Sequence, residues 1–298
     1  MSSTPAVLAH HAHVFPESVN PGGSVDRLLR LLDACDIGGA VCFAPFPHQM
    51  PGTDPVQWLA SEIRGRDRLH GFGTVDVRRH DLRDQVRRIA DAGLRGIKLH
   101  PNAQEFDLLG DAALEIYAAA QDEDLFLTFH SGVHHYRIKH YNVLGFDEIA
   151  YNFRKLRISL EHVGGYSFFN EALAVIVNNI PFPPEPGKRP RVFGGLTSVF
   201  TPHYNRFWHM PRERLVEAVA QAGAEQLIFG LDFPYNLEEN TKLGLETLRG
   251  LGLPAEDLAL ILGGNLRREL GIGQDKRGAH GGTEALPASK PVTADKSV

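Results

Sequence analysis

Short apolar runs alternate along this chain with longer segments in which apolar residues recur at helical spacing. A leucine-rich segment with the spacing of one helix face follows Ser24, Gly38 and Gly39 end it, and a short apolar run follows. The same alternation continues to residue 232, and runs of this kind predict buried strands between amphipathic helices. The predicted strands are 7–14, 40–44, 70–75, 96–100, 125–130, 158–162, 192–196 and 227–232.

Eight strands that alternate with helices predict an α/β fold, a single-domain (β/α)8 TIM barrel. An open doubly wound sheet is the structural alternative, but the chain lacks a dinucleotide-binding fingerprint. Residues 243–270 predict one or two added C-terminal helices, and the small, polar residues from Gly271 onward predict a disordered tail. We therefore expect a barrel domain at 1–270 and a disordered C-terminal tail at 271–298.

Composition narrows the classes of partner. The 298 residues are 43% hydrophobic, and 31 basic against 36 acidic residues give a net charge of −5, which argues against nucleic-acid and membrane partners. No apolar run reaches transmembrane length, the N-terminus lacks signal-peptide regions, and Cys35 and Cys42 are expected to be buried free thiols. These features predict a cytoplasmic protein with a small-molecule substrate, and a homo-oligomer remains open.

Polar residues stand at the ends of five predicted strands. His11 and His13 occupy alternate positions of the first strand and should share a face, whereas His10 should point away from them. Further polar residues end later strands: Lys98, His100, His130, His162 and Asp232. A His-x-His pair alone is a weak signal, but in a closed barrel all these positions converge at one mouth. Two stacked imidazoles can hold a divalent metal there.

The motifs around these residues resemble those of the amidohydrolase superfamily. The resemblance is nearest to the amidohydrolase-related (amidohydrolase 2) branch of TIM-barrel metal-dependent hydrolases, which includes aminocarboxymuconate-semialdehyde decarboxylase-like enzymes. It runs in motif order from about residue 10 to 270. The motifs are His11-Ala12-His13-Val14-Phe15-Pro16, Gly96-Ile97-Lys98-Leu99-His100-Pro101, Phe129-His130-Ser131-Gly132, Glu161-His162-Val163-Gly164-Gly165, Phe229-Gly230-Leu231-Asp232-Phe233-Pro234 and Leu262-Gly263-Gly264-Asn265-Leu266-Arg267-Arg268.

The resemblance implies one divalent metal, with zinc expected first and manganese or another transition metal as alternatives. The ligands it implies are His11, His13, His130 and Asp232. His162 resembles the residue that orients or protonates the substrate, or that binds a second metal. Lys98 would bridge a second metal or position a substrate anion, and we favour one metal. Ala9 stands where the family often has an acidic residue.

This ligand set predicts a metal-dependent hydrolase of a small amide, lactone or related carbonyl compound. Asp232 would act as general base toward a metal-activated water, and His162 as acid or oxyanion stabiliser. A non-oxidative decarboxylase (a lyase) acting on a small, aromatic carboxylic acid is the first alternative. A metal-independent lactonase or a ligand-binding barrel is the second.

Substrate choice in such a barrel depends on the loops that follow the strands. Two loops, at 133–141 and 197–214, carry aromatic and cationic residues, which favour a small, planar, anionic ligand. The predicted substrate-binding residues are His100, Arg137, His203 and Arg206, with Arg137 or Arg206 holding a carboxylate. The alternative for each of the loop residues is an ordinary solvated residue or an oligomer contact.

Overall fold

The computed structural model describes residues 6–181, 188–203 and 206–273, and these form a closed parallel barrel. Each strand pairs with the next along the chain, and the first pairs with the last. The TIM-barrel prediction is therefore confirmed. The strands are β1 (Val7–His13), β2 (Ile37–Phe43), β3 (Leu69–Gly73), β4 (Gly96–Leu99), β5 (Phe126–His130), β6 (Arg157–Glu161), β7 (Val192–Leu196) and β8 (Leu227–Phe233).

Helices surround the barrel in the expected alternation. They are α1 (Val25–Ala34), α2 (Pro55–Glu62), α3 (Leu82–Asp91), α4 (Asp111–Asp122), α5 (Gly145–Asn152), α6 (Phe169–Asn178), α7 (Arg212–Ala222), α8 (Glu238–Arg249), α9 (Ala255–Ala259) and α10 (Asn265–Leu270). The segment 243–270 thus holds the end of α8 and two added helices. Of the predicted disordered tail, residues 274–298 lie outside the described residues. Within the described part, no helix is long and apolar enough to cross a membrane.

Two apolar layers hold this architecture together. One lies between the strands and the outer helices and includes Ala9, whose side chain therefore lies in the outer core and not at the barrel mouth. The other fills the lower barrel interior with aromatic rings, among them Phe72 and Phe126. Leu266 and Leu270 of α10 join this inner cluster together with Leu8 at the start of β1, so α10 closes the end opposite the mouth. The two predicted free thiols, in the α1–β2 region, are buried and unbridged.

Strand β1 departs from simple alternation at a bulge. His11 has φ of 61°, and the pairing register with β2 shifts between Ala9 and Ala12. A residue in the left-handed region turns the chain, so that His10 and His11, although consecutive, both point into the barrel. His10 is fully buried there, in edge contact with the ring of Phe72. The expectation that His10 points away from His11 is therefore wrong.

Candidate metal centre

Three side chains from opposite ends of the sequence meet at the mouth of the barrel. His11 Nε2 lies 3.1 Å from His13 Nε2 and 3.4 Å from Asp232 Oδ1. His13 Nε2 lies 3.9 Å from the same carboxylate oxygen. Because β1 and β8 are neighbours in the closed barrel, the two histidines and the aspartate share one corner. We call His11, His13 and Asp232 the His/Asp group.

Hydrogen bonds fix which atoms this group presents. His11 Nδ1 lies 2.7 Å from a carboxylate oxygen of Glu161, so it carries the proton and donates it. The Nε2 lone pair of His11 is therefore directed at the other two members of the group. Asp232 Oδ2 accepts a 2.5 Å hydrogen bond from Ser198 Oγ, which in turn accepts one from Asn236 Nδ2. These bonds leave Asp232 Oδ1 facing the imidazoles.

The group fits a divalent metal ion. A tetrahedral ion with bonds of about 2.0–2.1 Å places its ligand atoms about 3.3–3.4 Å apart, close to the separations found here. Burial lowers the pKa of His11 and of His13 well below the usual value, and the nearby charge of Lys98 lowers both further, so both imidazoles are neutral, as ligands must be. Two neutral imidazoles and one carboxylate also leave open positions for substrate, as catalytic zinc sites do.

Lys98 brings a buried positive charge to the same place. Its Nζ lies 3.5 Å from His11 Nε2 and 5.3 Å from the ring centroid of Phe43. Burial lowers the pKa of Lys98 to about 8, while the negative charges of Glu161 and Asp232 act in the opposite direction. The ammonium form therefore predominates at neutral pH, and it faces the lone pair that a metal would use.

His162 follows β6 at a strained turn, with φ of 65°. Its Nδ1 donates a 2.7 Å hydrogen bond to the carbonyl oxygen of Thr197, so its Nε2 carries the lone pair. Its ring stacks on Trp208 at a centroid distance of 4.1 Å, and the Trp208 indole donates to the carbonyl of Val133. Burial lowers the pKa of His162 to about 3, with a further contribution from Lys98. The neutral ring can accept a proton but has none to donate from Nε2.

A second set of histidines lies nearby: His100, His130 and His134, here called the all-histidine group. The rings of His100 and His130 stack with centroids 4.0 Å apart, and the ring of His130 lies 4.7 Å from that of His162. His130 Nε2 donates a 2.7 Å hydrogen bond to the carbonyl of Gly132. The structure thus brings together three of the four expected ligands and places His130 in the neighbouring group.

Both groups line one cavity of about 430 Å³, which falls within the range of small-molecule sites. Its remaining lining is largely aromatic: Phe15, Phe46, Tyr136, Phe207, Trp208 and Tyr235. Arg137 instead lines a separate surface cleft. Arg206 packs over the ring of Phe207 but does not itself line the cavity, and His203 is exposed. The three loop residues expected to bind substrate therefore lie outside this cavity, whereas His100 lies within it.

Two residues at this site escaped the sequence analysis. Glu161 received no role, although Ser159 and Glu161 are polar residues two apart within an apolar strand, a spacing that places both on the interior face. Trp208 lies in the loop at 197–214, which the sequence analysis described only by its aromatic and cationic content. Nothing local in its sequence indicated that it would stack on His162.

A closed (β/α)8 barrel whose strand ends bring two imidazoles and a carboxylate together defines a TIM-barrel protein with a candidate metal site. The sequence profile of the Amidohydrolase family matches residues 20–272, so the chain belongs to that family. It is an enzyme of the amidohydrolase superfamily, a class that includes hydrolases and decarboxylases. Comparison with curated proteins finds no significant sequence relative.

Solved structures share the fold at low sequence identity. A candidate 2-pyrone-4,6-dicarboxylic acid hydrolase from Pseudomonas putida is 19% identical, with a TM-score of 0.64 over 89% of this chain and 97% of that one. The 5-carboxyvanillate decarboxylase LigW from Sphingomonas paucimobilis is 15% identical, with a TM-score of 0.62 over 90% and 99%. A dihydroxybenzoic acid decarboxylase from Polaromonas sp. JS666, with bound manganese and 2-nitroresorcinol, is 14% identical, with a TM-score of 0.65 over 90% and 97%.

Proposed function

We propose that this protein is a metal-dependent hydrolase of a small, planar, anionic carbonyl compound such as a lactone or an amide. The observation that carries the proposal is the convergence of His11 Nε2, His13 Nε2 and Asp232 Oδ1 on one point of an aromatic-walled cavity. His130 as a fourth ligand stays a prediction, since its Nε2 is engaged by Gly132.

The His/Asp group would hold one divalent ion, with zinc expected first. The manganese in one decarboxylase of the same fold makes that metal the leading alternative. A bound ion would polarise the substrate carbonyl and lower the pKa of a water molecule, which are the two roles that such ions have in hydrolysis. The neutral imidazoles and the oriented Asp232 carboxylate are the features of this chain that support such binding.

Asp232 is the proposed general base. Burial raises the pKa of Asp232 to about 6, although the hydrogen bond from Ser198 opposes the rise, and a base with a pKa near the working pH transfers protons most efficiently. Asp232 would take a proton from the attacking water and pass it to the leaving group. Lys98, buried and positively charged, would stabilise the developing oxyanion.

The role of His162 changes in this scheme. The sequence predicted an acid or an oxyanion stabiliser, but the Nε2 atom of His162 carries a lone pair and burial keeps the pKa of the ring low. We therefore assign His162 the part of an acceptor that orients the attacking water or a substrate hydroxyl. It could act as an acid only after taking up a proton.

Substrate recognition would rest on planar stacking and a few polar atoms. His100 lines the cavity, and its Nε2 is buried without a protein partner among the described residues. Its Nδ1 accepts a hydrogen bond from the backbone N–H of Ala103, so Nε2 carries the proton and can donate to a substrate oxygen. Lys98 and His100 would thus bind the anionic group for which the sequence predicted Arg137 or Arg206.

Decarboxylation of a small aromatic acid is the second candidate. It is favoured by the aromatic cavity lining, which suits a benzene ring, and by two decarboxylases of the same fold. Here Lys98 and the metal would hold the substrate carboxylate and an adjacent oxygen. Asp232, once protonated, would deliver the proton to the ring carbon.

The test uses protein loaded with one equivalent of zinc or manganese and offered lactones, aryl amides and hydroxybenzoates in ¹⁸O-labelled water. Hydrolysis puts the label into a carboxylate product, whereas decarboxylation releases carbon dioxide and puts no label into the remaining organic product. Carbon dioxide release without hydrolysis of any lactone or amide would overturn the first proposal. Equal turnover by chelator-stripped protein would overturn metal dependence and favour the metal-independent lactonase.

A further inference from the structure

The Glu161 carboxylate lies beneath the candidate metal centre and takes no part in the proposed proton transfers. It is completely buried, and four donors surround it. His10 Nδ1 and His11 Nδ1 lie 3.1 and 2.7 Å from its two oxygens. Ser159 Oγ and Thr197 Oγ1 each lie 2.8 Å away. A buried carboxylate is costly unless its lone pairs are used, and here four donors use them.

The neighbouring strands leave room for this cluster. A Cβ atom at Gly195 of β7 would lie 2.4 Å from the Glu161 carboxylate. A Cβ atom at Gly230 of β8 would lie 2.1 Å from Thr197 Oγ1 and 3.2 Å from His11 Cβ. Real Cβ atoms do not approach so closely, so both strands need glycine where the hydrogen-bonded cluster fills the interior. This steric evidence is independent of the hydrogen bonds themselves.

We infer that Glu161 is the positioning residue that selects the metal-binding nitrogen of His11. A neutral imidazole has two tautomers, and its free energy in each depends on the partners of its two nitrogens. Glu161 accepts from His11 Nδ1 and thereby leaves the lone pair on Nε2, the atom directed at His13 and Asp232. The inference rests on the ligand set of the proposed function, but not on the reaction.

The bulge at His11 lets one carboxylate hold two consecutive histidines. His10 donates to one oxygen of Glu161 and His11 to the other, while His10 Nε2 lies 3.2 Å from Thr128 Oγ1. His10 is therefore part of the support, and its ring meets that of His11 edge-on at a centroid distance of 6.3 Å. Its bond to Glu161 restricts the rotation of the carboxylate and hence the direction in which His11 is held.

The decisive variant is Glu161→Gln, measured in metal-free protein by ¹⁵N NMR of the histidine rings. Glutamine keeps the shape, but its amide nitrogen cannot accept from an imidazole N–H. We expect His11 to be the Nδ1–H tautomer in the wild-type protein and a mixture of both tautomers in the variant. Calorimetry with Zn²⁺ should then give a dissociation constant about 10–100-fold higher, as for other outer ligands of metal-bound histidines.

Glu269→Gln is the matched control, because Glu269 is also a buried glutamate but lies on α10 at the opposite end of the barrel. It should leave both the tautomer and the Zn²⁺ affinity unchanged. An unchanged tautomer and affinity in Glu161→Gln would overturn the inference. Changes of the same size in Glu269→Gln would overturn it as well, because they would reflect general loosening of the fold.

A measurement on the unaltered chain keeps the inference testable if Glu161→Gln does not fold. The wild-type, metal-free protein should show an exchange-protected Nδ1–H signal, assigned to His11 by its loss in His11→Gln. An Nε2–H signal in its place would overturn the inference. Because no turnover is measured, an altered tautomer and weaker Zn²⁺ binding in Glu161→Gln support the role of Glu161 even where no hydrolysis is found.

Discussion

The two histidine-rich groups at the barrel mouth differ in how their nitrogen atoms are bonded. In the His/Asp group, the Nδ1 atom of His11 is bonded to a carboxylate, and its Nε2 lone pair meets a second imidazole and Asp232. In the all-histidine group, one ring nitrogen of His130 donates to the carbonyl of Gly132, and one ring nitrogen of His100 accepts from the backbone N–H of Ala103. The first group is therefore arranged as a candidate cation site, and the second presents polar atoms to the cavity.

The distances between possible ligand atoms do not distinguish these groups, since in each group the atoms lie close enough together to hold a metal. Charge and hydrogen bonding separate them. The His/Asp group contains a carboxylate and is supported by the buried Glu161, whereas the all-histidine group has only imidazoles and its member His134 lies on an exposed loop. A divalent ion needs deprotonated ligands and is favoured by negative charge. We therefore expect one metal in the first group and substrate in contact with the second.

The largest expected effect comes from Asp232→Asn, which removes the residue proposed both as the charged ligand and as the general base. Bound metal should fall from about one equivalent to below about 0.2, and kcat/KM by about 10²–10⁴-fold. The fold should persist, as judged by circular dichroism, because the Ser198 contact remains possible for an amide. A variant that keeps metal and near-normal turnover would remove Asp232 from the centre. His134→Gln, on the exposed loop, is the control and should retain metal.

Gly195→Ala disturbs Glu161, which supports the first group, without changing any residue of that group. The added methyl would meet the Glu161 carboxylate at 2.4 Å, and since Gly195 lies outside the left-handed region the effect is steric. Overpacking of this kind costs about 1–3 kcal/mol of unfolding free energy, which denaturant titration would measure. Zn²⁺ binding should weaken as well. Gly250→Ala, beyond the end of α8, is the control, and equal loss of metal affinity there would contradict the steric account.

The sequence predicted the barrel and the three residues of the first group because both follow from short-range patterns. Apolar runs that alternate with helical spacing identify strands, and parallel strands in a closed barrel bring their C-terminal ends to one mouth. His11, His13 and Asp232 could therefore be placed together from the sequence. The absent acidic residue at Ala9 has no consequence for the site, because that side chain lies in the outer core.

What the sequence could not predict depends on backbone torsions and on loops. His11 and His162 have φ of 61° and 65°, so consecutive residues face the interior where alternation predicts opposite faces. Such left-handed residues cost free energy and often occur at functional sites, but no local pattern indicates them. The positions of Arg137 and Arg206 depend on loop paths that periodicity does not constrain. Three of the four partners of Glu161 come from β1 and from the residue that follows β7, contacts that only the folded barrel creates.

His130→Asn tests whether His130 belongs to the all-histidine group or is a metal ligand of the first group. Because its Nε2 donates to Gly132, we expect the variant still to bind about one equivalent of Zn²⁺, with an affinity close to that of the wild type. Isothermal titration of wild type and variant measures both stoichiometry and affinity. A loss of metal as complete as that in Asp232→Asn would instead assign His130 to the first group, as the family resemblance predicts.

The smallest expected effect is on the pH dependence of the unfolding free energy, to which His100 of the second group contributes. Burial lowers the pKa of His100 well below its usual value, and the charge of Lys98 lowers it further. As the pH drops below about 6.5, His100 becomes protonated in the unfolded chain but stays neutral in the folded chain. The free energy of unfolding therefore falls as the pH drops below that value. His100→Gln should reduce the slope of unfolding free energy against pH by at most about 1.4 kcal/mol per pH unit.

Urea titrations between pH 5 and pH 7 measure this slope in the wild type and in His100→Gln. The decisive comparison repeats the series with one equivalent of Zn²⁺. If the metal occupies the His/Asp group, zinc should raise the unfolding free energy of the wild type and of His100→Gln by the same amount at each pH. If instead zinc stabilises the wild type and not His100→Gln, the all-histidine group binds metal, and the division between the two groups is wrong.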